Sequence, residues 1–206
     1  MLRSLYLLGI CLWLAACGQP NGAGGFVNEI SGFERLPGFF DLYWDDAKGR
    51  LIIRIDELET DFIYQSSLAR GVGSNDIGLD RGQLGATRIV SFQRSGPKVL
   101  MMEKNLGYRA VSTDIDELRA VDESFARSVV WGFDVLGEID GDTYIDATDF
   151  LLRDAHGIGP WLEKAGEGTY QVDAKRSAIY LPRTKAFPDN SEMEAVVTFV
   201  GKPTGK

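Results

Sequence analysis

One histidine (His156) and two cysteines (Cys11 and Cys17) are the only imidazole and thiol groups in this chain of 206 residues. That shortage narrows the chemistry. A catalytic zinc site needs three protein ligands and an open coordination position, usually with two histidines one helical turn apart. His156, followed by Gly157, reads instead as a histidine at a helix C-terminus, and no metal ligand is assigned in the chain. Ser124 and Ser128 have only His156 as an available base and sit in no G-x-S-x-G elbow, so no catalytic residue is assigned either. Basic residues are in the minority, with 22 Lys and Arg against 30 Asp and Glu, for a net charge of -8. An acidic balance argues against nucleic acid and against electrostatic adhesion to anionic lipid. Long apolar runs are missing too. The stretch Leu5 to Leu14 falls short of the roughly 20 residues a transmembrane helix needs.

What that short run does match is an export signal. A single basic residue, Arg3, precedes it, and Leu14-Ala15-Ala16-Cys17 follows. This is the layout of a bacterial lipoprotein signal, in which the thiol of Cys17 takes the lipid and becomes the new N-terminus. Cys17 is therefore the expected lipidation site and the membrane partner is expected through the lipid anchor. Processing removes Cys11, so no disulfide can staple the domain and a hydrophobic core must hold it. The apolar fraction of 44% supports such a core. The expected location is exported, in the cell envelope and facing the periplasm. Gly18 stands where enteric inner-membrane lipoproteins carry Asp, which points to the outer membrane where one exists.

Residues 1–17 are thus read as the signal, 18–35 as a flexible Gly-rich tether, and 36–206 as a β-rich domain. Strands are expected at residues 38–44, 50–55, 61–67, 87–92, 98–103, 107–111, 129–139, 143–146, 170–172, 177–181 and 194–199. Asp140-Gly141 marks a hairpin turn. One helix is expected over residues 114–128, with Ile115, Leu118, Val121 and Phe125 on one face and Thr113 as its cap, and a second over 148–156. Many short strands with one or two helices predict an α+β fold, mainly antiparallel and sandwich-like. Residues 201–206 read as a polar tail.

Two clusters invite functional readings. Asp140, Asp142, Asp146 and Asp149 lack the EF-hand spacing, since Ile145 stands at the sixth position where Gly is required. The glycine cluster of residues 71–85 matches neither a Walker loop nor a dinucleotide turn. Its glycines are expected to supply positive φ in a long ordered loop, with Asp80 and Arg81 as the candidate binding residues.

An ordered series of motifs carries a family resemblance. It comprises Gly71-Val72-Gly73-Ser74, Gly78-Leu79-Asp80-Arg81-Gly82-Gln83, Glu103-Lys104-Asn105, Glu123-Ser124-Phe125-Ala126-Arg127-Ser128-Val129, Asp146-Ala147-Thr148-Asp149-Phe150-Leu151-Leu152-Arg153-Asp154 and Phe187-Pro188-Asp189-Asn190-Ser191-Glu192. In these motifs the chain resembles the N-terminal domain, of uncharacterised function, of bacterial exported zinc-dependent metalloproteases of the zincin type. The resemblance implies a non-catalytic front half of a lipid-anchored peptidase. Its expected partner is the C-terminal peptidase domain of the same polypeptide, with zinc and the H-E-x-x-H signature in that domain and no cofactor in this segment. The alternative expectation is a stand-alone periplasmic lipoprotein binding module that uses the glycine-rich loop.

Overall fold

In the computed structural model of the chain, which describes residues 23–73, 75–108, 111–125 and 127–204, eight antiparallel strands form one curled sheet. They are β1 (Glu34–Leu36), β2 (Asp41–Asp45), β3 (Arg50–Ile55), β4 (Phe62–Ser67), β5 (Leu84–Ser95), β6 (Lys98–Glu103), β7 (Ser128–Ile139) and β8 (Asp142–Asp146). Their order across the sheet is β1-β2-β3-β8-β7-β6-β5-β4. Four α-helices accompany them among the described residues: α1 (Ala23–Ile30), α2 (Ile115–Ser124), α3 (Thr148–Leu151) and α4 (Ile158–Lys164). The architecture is α+β and sandwich-like, as expected, with more helices than the one or two anticipated.

The curl has a local origin. β5 and β7 are each 12 residues long. Each pairs with one neighbour along its first half and with another along its second. β7 joins β6 through Ser128–Asp134 and β8 through Val135–Ile139. Register shifts at Met101/Met102 within the β6–β7 pairing and at Val135/Gly137 where β7 turns to β8 add twist along β7. As a result the two ends of the sheet approach each other. Phe40, between β1 and β2, meets Phe62 of the edge strand β4 at a centroid distance of 5.2 Å.

The core lies inside the curl and is built from alternate residues. Leu42, Leu51, Ile53, Ile55, Val90, Phe92, Val99, Met101, Phe133 and Ile145 point inward and are almost wholly buried. Tyr43, Ile52 and Tyr144 point to the opposite face and would be exposed there. Phe26 and Ile30 of α1 cover them. This explains why Leu51-Ile52-Ile53 is a continuous apolar run, because β3 is buried on both faces. Part of the segment expected as a tether is therefore a docked helix. Residues 1–22, including Cys17 and the expected signal, lie outside the described residues.

Three short ribbons complete the fold. They are β9 (Gly168–Val172) with β14 (Phe199–Pro203), β10 (Ala178–Ile179) with β13 (Ala195–Val196), and β11 (Lys185–Phe187) with β12 (Asn190–Glu192). The residues expected as a polar tail from Gly201 are thus strand through Pro203, because β14 hydrogen-bonds along β9. The strand expected at residues 107–111 is absent at Gly107, Tyr108 and Val111. Gly107 and Tyr108 instead donate their N–H groups to Asn105 Oδ1 in a side-chain-capped turn.

Candidate functional site

The glycine-rich segment between β4 and β5 folds back on itself. Leu68 and Gln83 close its base, with Leu68 N–H donating to Gln83 O at 2.9 Å, and Val72 N–H donates to Leu79 O further out at 2.9 Å. Gly78 and Gly82 adopt φ of +71° and +81°, the left-handed turns expected of them. The loop is then pinned from one side. Leu68 and Leu79 pack with Ile158 and Leu162 of α4, and Trp161 Nε1 donates to Ile77 O at 2.6 Å. Asp154 holds the start of α4 by accepting from the N–H groups of Ile158 (2.7 Å) and Gly159 (2.8 Å). Asp80 and Arg81 are exposed between these two rungs near the base of the loop, and neither side chain is brought into a hydrogen bond or ion pair among the described residues.

Beside this loop lies a polar junction with no clear signal in the sequence. Arg153 stacks over the Phe150 ring at 4.6 Å and lies 5.6 Å from the Trp131 ring, while its Nη2 donates to Tyr64 OH at 3.1 Å. His156 was expected at a helix C-terminus. The helix α3 ends instead at Leu151, and His156 sits in the α3–α4 connection against Gly85 of β5. Three buried atoms find no hydrogen-bond partner among the described residues: Arg153 Nε and His156 Nδ1 in the α3–α4 connection, and Gln83 Oε1 at the base of the loop just before β5. An i, i+3 pair such as Arg153/His156 followed by Gly157 was visible in the sequence, but its partners on β4 and β5 come from tertiary pairing.

A second concave surface lies on the outer face of β5 and β6. Ser91, Gln93 and Met102 form its floor, α2 contributes Leu118 and Val121, and the whole cleft is about 570 Å³. Its far wall is Tyr108 stacked on Phe125, with ring centroids 3.9 Å apart and planes at 7°. The helix starts at Asp114, whose side chain accepts from Asp116 N–H at 2.8 Å, so Asp114 and not Thr113 is the cap. At the rim, Lys104 pairs with Asp61, and Glu59 takes a left-handed backbone with φ of +62°. Around this excursion between β6 and β7, large apolar side chains face solvent: Leu106, Tyr108, Val111, Ile115 (76% exposed), Leu118 and Val129.

The remaining candidates of the sequence reading have structural work. Ser124 Oγ donates to Ala120 O at 2.6 Å, within its own helix. Asp140 and Gly141 form the β7–β8 turn with φ of +53° and +95°. Asp142 faces Arg54, and Asp146 accepts from Thr148 N–H at 2.9 Å. No group of three His, Cys, Asp or Glu among the described residues is placed to hold a metal ion. No described helix is long and apolar enough to cross a membrane.

A family model described as a domain of unknown function (DUF5117) matches residues 82–206. No curated protein and no solved structure matches the chain. The match begins in the glycine-rich loop, so β1 to β4 fall outside it although they complete the same sheet. With more than half of its length matched, the chain belongs to this DUF5117 family of domains of unknown function.

Proposed function

We propose that this chain is the non-catalytic N-terminal domain of a lipid-anchored, periplasm-facing zinc-dependent metallopeptidase, and that it packs against the peptidase domain of the same polypeptide. The observation that carries the reading is the apolar excursion between β6 and β7. Leu106, Tyr108, Val111, Ile115, Leu118 and Val129 are exposed there together, on a segment already folded around the Tyr108–Phe125 stack. Large apolar side chains exposed on one such segment support a surface where another domain docks. The ordered motif series from Gly71 to Glu192 and the lipobox at Cys17 supply the identity of the peptidase and the anchor.

Zinc belongs to the peptidase domain in this reading, and the present segment supplies packing and substrate access. The decisive test is the genomic reading frame beyond codon 206, which is expected to encode H-E-x-x-H with a further histidine downstream. A continuation without that signature, in this frame and its neighbours, overturns the proposal. The anchor has its own test. Cys17→Ser is expected to move the protein from the membrane to the soluble fraction, and retention on membranes would refute lipidation.

A further inference from the structure

The cleft under α2 carries polar groups that the fold leaves unused. Of its carboxylates, Asp61 pairs with Lys104 and Glu103 pairs with Arg88. Glu59 has no ion pair and no side-chain hydrogen bond among the described residues. Lys104 and Arg127 also line the cleft, and both are engaged, so the open charge there is the Glu59 carboxylate. Its backbone is left-handed, with φ of +62°, a conformation that side-chain-bearing residues seldom adopt. The Glu59 N–H donates to Phe92 O at 2.8 Å, which holds the residue at the edge of the sheet beside the cleft. Strain of this kind is often retained where it aims a functional group. On the floor, the side chains of Ser91 and Gln93 have no hydrogen-bond partner among the described residues. The aromatic wall is unusual as well. Tyr108 and Phe125 lie almost face to face, at 3.9 Å and 7°, which sets two electron-rich ring faces against each other. Tyr108 is 58% exposed, and a cation over its ring would draw on that electron density.

We propose that this cleft binds a basic side chain carried by a polypeptide segment, with arginine as the preferred residue. The guanidinium meets Glu59, and its aliphatic stem lies against Met102, Leu118 and the Tyr108–Phe125 stack. Arginine suits the site better than lysine because its flat head stacks on aromatic rings while it pairs with a carboxylate. The volume of about 570 Å³ falls within the range of small-molecule pockets and exceeds what one side chain fills. Peptide groups flanking the arginine therefore enter too, and Ser91 and Gln93 supply donors and acceptors for them. The net charge of -8 draws basic segments toward the surface. Residues of this chain alone build the site, so it stands or falls separately from the peptidase reading and from the lipid anchor.

The test is a saturation-transfer NMR titration of the full chain in detergent with N-acetyl-arginine N-methylamide. Binding is expected with a Kd of about 1 mM or tighter. The neutral isostere N-acetyl-citrulline N-methylamide should bind about fivefold more weakly, because it keeps the shape and loses the charge. Agmatine, which keeps the guanidinium but lacks the peptide groups, should also bind more weakly. Glu59→Gln is expected to weaken binding of the arginine probe about threefold or more. Glu59→Gly should do the same without lowering stability in urea melts, since glycine suits the left-handed backbone. That second variant separates a lost ligand contact from a damaged fold. Equal binding of the arginine and citrulline probes, or parent affinity in both Glu59 variants, overturns the proposal. So does the absence of binding at about 10 mM. Agmatine binding as tightly as the amide would refute the polypeptide source.

Discussion

The ring of Phe26 occupies the space that a side chain at residue 137 would need. A Cβ built on Gly137 would lie 2.7 Å from Phe26 Cγ and closer still to Cδ1. Gly137 also stands at the register shift between β7 and β8, so the missing side chain and the irregular pairing together make the seat for α1. Gly137→Ala is expected to lower stability by about 1–3 kcal/mol through overpacking. Phe26→Ala is expected to lose about 3 kcal/mol through the emptied seat. Chemical denaturation of both variants checks this. In the double variant the two losses should fall well short of additivity, because each disturbs the same contact.

The Asp45–Arg50 pair gives a prediction in acid. Burial pushes the Asp45 carboxyl up, but hydrogen bonds from Arg50 and from Lys48 N–H outweigh burial, and its pKa lies below the ordinary carboxylate value. A carboxyl depressed in the folded state contributes stability above its unfolded pKa, and that contribution is lost as pH falls through the folded value. Asp45→Asn is therefore expected to cost about 2–3 kcal/mol at neutral pH. The gap from the parent protein should close progressively below about pH 4. Parallel urea melts at pH 7 and pH 3 measure it. A gap unchanged at pH 3 would contradict the assignment.

Tyr144 gives the matching prediction in alkali. Burial, reinforced by Tyr43, raises its phenol to about 12. A phenol raised on folding contributes stability below its unfolded pKa of ~10, and that contribution is lost as pH rises through the folded value. Ultraviolet titration of the phenolates is expected to show a late component near pH 12 that disappears in Tyr144→Phe. The same variant should lose less stability than the parent protein between roughly pH 10 and 12.

Trp161 tests whether α4 holds the glycine-rich loop. Trp161→Phe keeps an aromatic ring but removes the indole N–H that reaches Ile77 O. The expected global loss is only about 1 kcal/mol. Amide exchange at Val72 and Gly82, whose N–H groups close the loop, should accelerate more than exchange in β3 or β6. Uniform acceleration across the sheet would show that the loop is not separately controlled.

The family match starts inside the sheet, and this also has a measurable consequence. A fragment of residues 82–206 would lack β1 to β4. It would lose β3, one of the two partners of β8, and four of the twelve buried core residues, Leu42, Leu51, Ile53 and Ile55. That fragment is expected to show no cooperative unfolding transition, whereas residues 23–206 should unfold in one. A cooperative transition in the shorter fragment would place the structural boundary at the loop.

Much of the sheet was legible because its signals are local. β3 and β6 match the expected spans, and the Asp140-Gly141 turn and the positive φ of Gly78 and Gly82 follow from residue type. The misses share one cause. α1 reads as Ala-Gly-Gly-Phe-Val-Asn-Glu-Ile and α4 as Ile-Gly-Pro-Trp-Leu-Glu-Lys. Both contain helix-weakening glycine, and both are stabilised by tertiary burial, α1 on the strands β2, β3 and β8 and α4 on the glycine-rich loop and the β9–β14 ribbon. β14 is polar and has strand character because β9 lies beside it. Among site residues, Asp80 and Arg81 lie in the loop where the sequence places them, while the junction of Arg153 with Tyr64, Phe150 and Trp131 has no linear signature.

The sequence by itself determined the class of fold, most strands and the scarcity of histidine and cysteine. Each of these depends on residue type and near-neighbour spacing, which are present in the linear chain. Only the tertiary structure decided that residues 23–30 are docked, that β14 is a strand, and that Ile115 and Leu118 of α2 are exposed among the described residues. Those outcomes depend on which side chains meet after the sheet has curled. The curl is set by half-paired strands and register shifts that bring residues 40 and 62 together across the whole sheet.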